Sequence, residues 1–289
     1  MSAVAERRGR RDDFTSERHV YEPFRVGLPP LGSYLRQLWR RREFGLALAR
    51  SELRAAHLDT LFGRVWLVLN PMLMALVYFM LVEIIRHGSK SPEFLAHIMA
   101  TLFAFRFVSS SIKDAARSVT SGGRLILNTA FPRAILPISA VIEGFYRFLP
   151  MVAVYAVVHV AVGLPVGPQL LWVVPIILLL VLFATGISMF VAAAQVYFRD
   201  LRHFLRYFLR IWLYTSPIIW TVDQVPEGLK PFLALNPLYP FLGSLSDTVI
   251  DGTSPPMTWI LWSAAWALVV LVGGGLFFIS REREFAVRL

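Results

Sequence analysis

An all-α polytopic membrane protein is the fold class that this sequence predicts, and three observations predict it. The 289 residues are 56% hydrophobic and only 17% charged, whereas soluble domains carry about a quarter charged residues. The apolar residues gather into runs long enough to cross a bilayer, which takes roughly 20 residues of helix. The cations, all arginine except Lys90, Lys113 and Lys230, collect between those runs and at the chain ends. The stretch 195–220, QVYFRDLRHFLRYFLRIWLYTSPIIW, shows the pattern best. One apolar run closes on Arg199, Arg202, Arg206 and Arg210, and a second, aromatic run opens at once and is broken by Pro217. Short arginine-rich loops between apolar runs stay on the cytoplasmic side.

A net charge of +10 would suggest nucleic acid in a soluble protein. Here the charge sits in a tail, two internal loops and the C-terminus, as on membrane faces beside anionic lipid, so membrane lipids and no nucleic acid are the expected partners. There is no cysteine, which excludes disulfides and thiol chemistry.

The elements follow in order. Residues 1–30 are polar, lack the apolar core of a secretory signal, and read as a disordered cytoplasmic tail. Residues 31–64 set Leu35, Leu38, Trp39, Phe44, Leu46 and Leu48 against Arg36, Arg40, Arg41, Arg42 and Arg50. That pattern reads as an amphipathic helix in the membrane interface plus a connection; a soluble amphipathic helix packed on a partner is the alternative. The transmembrane domain then occupies 65–289, with spans at about 65–85, 94–112, 138–162, 171–198, 204–222 and 258–280. The first reaches about 31 Å at 1.5 Å per residue, enough to cross the hydrocarbon core. The tail, the loops after the second and fourth spans, and the C-terminus are basic, while the other loops carry few cations. About six spans with both termini in the cytoplasm satisfy every loop.

Residues 223–257 are too long for a turn and too rich in proline for a domain. Two apolar runs, each too short to cross, meet at Asn236–Pro237 and read as re-entrant half-helices forming an outer gate, with Asn236, Pro237, Tyr239 and Phe241 at its centre. An amphipathic external cap is the alternative.

Catalytic constellations are missing. There is no GxxxxGK[ST] loop, the paired acids Asp12–Asp13 lie in the tail, and the six histidines show no metal spacing, so neither metal nor cofactor is expected in this chain and it is not read as an enzyme. Glu143 and Arg147 lie four apart, ready for a structural ion pair. Arg106, midway along the second span, must face a polar interior, meet an acid such as Glu143, or snorkel. Aromatic residues near span ends belong by default to interfacial belts. Trp66, Tyr78, Phe103, Trp212, Tyr214 and Trp220 are, with Arg106, the candidates for lining a conduit instead; aromatic rings suit the C–H faces of sugars, a use the composition permits without selecting it.

Four motifs in order carry a family resemblance: LFGRVWLVLNPML at 61–73, FPRAILPIS at 131–139, FRDL with SPIIW across 198–220, and NPLYP at 236–240. Together they resemble the polysaccharide-exporter permeases of the type-2 ABC transporters, membrane subunits that export O-antigen, capsule, teichoic acid or galactan chains. The resemblance implies the type-2 ABC exporter fold and a half-transporter whose second copy completes the channel. It also implies a separate ATPase subunit that binds ATP and Mg, and a lipid-linked polysaccharide as substrate. In that family the loop between the second and third spans carries the coupling helix. Here this is 113–137, with Arg117, Arg124, Leu125 and Arg133 as ATPase-coupling residues. Arg199 and Asp200 would anchor the inner hinge, with Asp200 as the acid that holds the arginines. Two other functions stay open: a type-2 ABC permease for drugs or small lipids, and a membrane-embedded glycan or lipid transferase.

Overall fold

The computed structural model describes residues 28–55, 65–85, 92–129, 131–226, 228, 230–233 and 235–288. The expected tail over 1–27, the connection over 56–64 and the loop over 86–91 lie outside the described residues. What is described is helical, without a strand: α1 Leu31–Arg40, α2 Arg42–Ala55, α3 Trp66–Ile85, α4 Pro92–Ser121, α5 Gly123–Asn128, α6 Ile135–Val162, α7 Val173–Tyr197, α8 Leu201–Thr215, α9 Lys230–Leu233, α10 Leu238–Val249, α11 Met257–Arg281 and α12 Phe285–Arg288.

Helix α4 is the axis of the molecule, packed by α3, α6, α7 and α10. Its most apolar window is 83% buried, against 11–28% for the other long helices, which face outward over most of their surface. Small residues let its neighbours come close: a Cβ on Gly144 of α6 would stand 2.5 Å from Ser111 Oγ of α4. Helices α7 and α11 cross closer still. A Cβ on Gly274 would lie 2.0 Å from the carbonyl oxygen of Gly186, so backbone rests on backbone there. Helix α6 stops at Gly163, whose left-handed φ of 78° lets Leu164 N–H return to the His159 carbonyl at 3.1 Å.

Four helical stretches among the described residues are long and apolar enough to cross a membrane: Pro92–Ser121, Ile135–Val162, Pro168–Tyr197 and Met257–Arg288. The expected first span is α3, whose apolar stretch Val68–Leu81 is shorter. The fifth, expected over 204–222, is corrected to α8, which ends at Thr215 because Ser216 turns extended (ψ 150°) ahead of Pro217. Its 15 residues reach about 22 Å, short of a bilayer's hydrocarbon core. The second span runs further than expected, to Ser121, so the first third of 113–137 is a continuation of α4.

The amphipathic segment is two helices, broken at Arg41. Helix α2 lies against α6 with Ala49 buried, and α1 buries only Tyr34. Between Thr221 and Met257 the chain forms a short 3₁₀ turn, α9 and α10, with the break at Asn236–Pro237. Nearly all of α10 is buried, against α4, α7 and α11. The core has two parts: a large one around α4, and a smaller one at the basic end where Tyr34, Ile126, Leu136, Phe278 and Phe285 meet.

Candidate functional site

A cationic cleft beside α4 gathers more charge than any other cavity described. It is built by a spacing. Arg106, Ser110, Lys113 and Arg117 recur at steps of four, three and four along α4, so they share one face. Opposite them α8 presents Arg202 and Arg206, also four apart, while its Leu205, Leu209 and Trp212 turn into the core. Trp66 and Asn70 of α3 and Arg147 of α6 complete the lining of a cavity of about 490 Å³.

Asp114 is the one carboxylate in this lining, and it is already engaged. It accepts from Arg117 Nη2 at 2.7 Å and from Arg147 Nη1 at 2.9 Å. Arg147 Nη2 pairs with Glu143 as well, so the expected Glu143–Arg147 contact is part of a four-member chain. Arg106 does not meet Glu143. Among the described residues no acid lies within ion-pair distance of Arg106, Lys113, Arg202 or Arg206. A second cavity of about 700 Å³ continues toward the basic end, shares Asp114, Arg117 and Arg147, and is walled by α2 and by Leu125.

The expected conduit residues separate into two groups. Trp66 and Arg106 line the cleft. Tyr78 faces Tyr214, with Arg106 and Arg210 nearby, and Trp220 Nε1 donates to the Tyr214 carbonyl at 3.1 Å. Phe103 and Trp212 are corrected to packing residues. Phe103 is buried and borders a separate apolar cavity of about 380 Å³ with Tyr155 and His159. Trp212 is wedged between Phe105, Phe183 and Phe208. Both are large flat side chains on faces that α4 and α8 turn toward the core.

Asn236 is a fastening rather than an open rim. Its Oδ1 accepts from Trp212 Nε1 at 2.7 Å and from Leu238 N–H at 3.0 Å, and its Nδ2 donates to the Thr215 carbonyl at 3.1 Å and to Ser216 Oγ at 3.0 Å. Pro237 immediately precedes α10, Tyr239 packs at a tilt beside Trp259, and Phe241 is buried on Phe183.

Of the residues expected to couple to an ATPase, Arg117 is mostly exposed, and Arg124 sits on α5 with its side chain outside the described set. Leu125 packs on the smaller core, and Arg133 donates to the main-chain carbonyl of Glu282. Burial lowers the Arg133 guanidinium from its ordinary value, while Glu282 and Tyr34 work against that shift. Arg199 is exposed, and its carbonyl accepts from Gln195 Nε2 at 2.9 Å. Asp200 starts α8 through its backbone, and among the described residues no ion pair joins it to the arginines; that role is corrected. Asp114 is the acid that holds arginines here, one turn from Arg117, and the i, i+3 spacing was its only trace in the sequence. Among the described residues no cluster of His, Asp and Glu could hold a metal.

Comparison with known proteins decides the class. The family model for the ABC-2 type transporter matches residues 43–250, most of the chain. The chain belongs to the ABC-2 type transporter family. Among curated proteins this ABC-2 subunit is similar to the O-antigen export system permease protein RfbA of Myxococcus xanthus, 26% identical over 255 residues, covering 87% of this chain and 97% of the relative. It is also similar to two permeases of the same name from Klebsiella pneumoniae, at 25% and 26% identity, each covering 72% of this chain and 80% of the relative. The ABC-2 subunit is thus a multi-pass membrane component of a transporter and not an enzyme, and nucleotide binding belongs to its partner ATPase.

Proposed function

We propose that this chain is the permease half of an ATP-driven exporter that moves a lipid-linked polysaccharide out of the cytoplasm. Two copies form the channel, and each seats a separate ATPase at the basic end, on the surface around α5 and the end of α4. Both chain termini lie on the cytoplasmic side.

The observation that carries this reading is the near full-length similarity to the Myxococcus O-antigen permease, 97% of whose length is covered. The cleft supports it. A lipid-linked glycan has an anionic or polar head at the membrane surface and a sugar chain that must cross apolar lipid. The ABC-2 chain carries Arg106 midway along its second span, at a depth where a cation is costly and tends to be functional, near the Trp66 and Tyr78 rings.

Depletion of the chain in its native cell tests the reading. Surface glycan is expected to disappear while its lipid-linked precursor accumulates inside, and restoration needs both this chain and an intact ATPase. Loss of surface glycan without internal accumulation would point to synthesis instead, and would overturn export. Orientation is tested with a cysteine placed at Ser246, expected to react with an impermeant reagent from outside, and one at Arg202, expected to react only after lysis.

A further inference from the structure

We infer that a small cavity where the ends of α4, α7 and α12 meet the start of α8 binds the head-group of phosphatidylglycerol, a phosphodiester that carries free hydroxyls. The cavity holds about 240 Å³ and is lined by Arg117 and Thr120 of α4, Gln195 of α7, Arg199, Arg202 of α8 and Arg288 of α12, with no carboxylate among its described lining residues. Two of the four cations are engaged. Arg117 Nη2 lies 2.7 Å from Asp114, and Arg288 Nε lies 3.4 Å from Glu284 with its guanidinium over the Tyr197 ring. Arg199 and Arg202 have no acid within ion-pair distance among the described residues. A phosphodiester offers two non-bridging oxygens, one for each of these two guanidinium groups.

Gln195 selects the rest of the head. It is only 5% exposed, its Nε2 donates to the Arg199 carbonyl at 2.9 Å, and its Oε1 is buried without a hydrogen-bond partner. The amide cannot turn over, because its oxygen would then face the Arg199 carbonyl. A buried acceptor left without a donor costs stability, so the cavity calls for a hydrogen-bond donor beside an anion. An ammonium, as in phosphatidylethanolamine, would add a further positive charge among the arginines; a glycerol hydroxyl is a neutral donor. Depth agrees with a lipid. The 30 residues of α4 reach about 45 Å, the thickness of a bilayer with its head-groups. Arg117 and Thr120 stand in the last two turns of that helix, and Gln195 in the last turn of α7, hence at head-group level. The volume is below the range of sites that enclose a whole small molecule, about 300–1,000 Å³, as suits a head-group whose tails stay in the bilayer.

The test uses the full chain in nanodiscs of phosphatidylcholine doped with phosphatidylglycerol or with phosphatidylethanol, which has the same charge and no hydroxyl. Retained lipid is read by native mass spectrometry. Phosphatidylglycerol is expected to bind about fivefold more tightly, the worth of one hydrogen bond. Gln195→Met should bring the two lipids level, and Arg199→Gln should weaken both by about tenfold. Arg206→Gln, which alters the larger cleft and not this cavity, should leave the ratio of the two lipids unchanged. Equal binding of the two lipids to the native chain would overturn the hydroxyl assignment. Weakening by Arg206→Gln but not by Arg199→Gln would move the lipid out of this cavity. Free glycerol 3-phosphate has the same chemistry without tails and is expected to compete only in large excess; displacement at equal concentration would overturn the lipid source and assign the site to a soluble phosphate ester. If Gln195→Met fails to fold, the ratio of the two lipids on the native chain decides the matter.

Discussion

Tyr34 and Glu282 are 248 positions apart in the chain, and the Tyr34 hydroxyl donates to Glu282 Oε2 at 2.6 Å. Arg133 donates to the main-chain carbonyl of the same glutamate. One residue near the C-terminus therefore ties down the N-terminal amphipathic helix and the segment between α5 and α6. Burial, and then the nearby Glu282 charge, push the Tyr34 phenol well above its usual value, so it keeps its proton and stays a donor.

Tyr34→Phe should lower stability by about 1–3 kcal/mol, because it leaves a buried carboxylate oxygen without its donor. Glu282→Gln added to that variant should cost less than it does alone, as expected for contacting residues. Thermal unfolding of the single and double variants in nanodiscs measures both. Additive losses would show that the two side chains do not depend on each other.

Gly274→Ala should cost about 1–3 kcal/mol or more, since the new methyl would meet the Gly186 backbone and the α7–α11 crossing would have to open. Gly273→Ala, whose Cβ would meet nothing within 4 Å, is the matched control and should be neutral or slightly stabilising. Melting temperature and expression level compare the two. Equal effects would mean that the crossing is not tight.

Asn236→Ala removes four hydrogen bonds and leaves the buried Trp212 indole N–H unpaired. At about 1 kcal/mol per bond, with the stranded donor added, a loss of about 2–5 kcal/mol is expected. Asn236→Asp keeps the Oδ1 acceptor and should recover part of it. Tryptophan emission, reporting the water around Trp212, should shift red in the alanine variant.

The loop end of α10 should respond to pH. Burial first, and then Asp251 and Asp223, push Asp247 up to about 6 from an ordinary 3.8. A carboxyl group raised on folding favours the folded state most while protonated. Its contribution is complete below pH 3.8 and is lost as pH rises through about 6. Hydrogen exchange around 247–253 should therefore quicken over that interval, and Asp247→Asn should flatten the profile. A profile unchanged by the substitution would assign the response to another group.

The apolar runs were legible because membrane helices announce themselves by length, and the turn at Asn236–Pro237 because proline cannot continue a helix. Glu143 and Arg147 were legible for the same local reason, one helical turn. The cleft was harder to read. Arg106 was conspicuous as an intramembrane charge, but its surroundings depend on how α8 folds back over α4, and no periodicity within either helix contains that. Phe103 and Trp212 carried the composition of a conduit and the position of a core, and only packing separates the two. The Tyr34–Glu282 contact left no trace in the sequence, since neither residue has a local partner that points to the other.

Helix α4 runs from Pro92 to Ser121 without a glycine and without a proline after its first residue. Arg106, deep in the bundle, and Ser121, one residue short of α5, therefore belong to one rod, about 22 Å apart at 1.5 Å per residue. Kinks in helices gather at proline, glycine or inserted groups, and α4 has neither proline nor glycine between those two points. A partner that shifts the α5 end by an ångström moves the Arg106 guanidinium by a comparable distance. On this geometry a push along the axis at the Ser121 end arrives at Arg106 as the travel of a piston, with no joint along the way to absorb it.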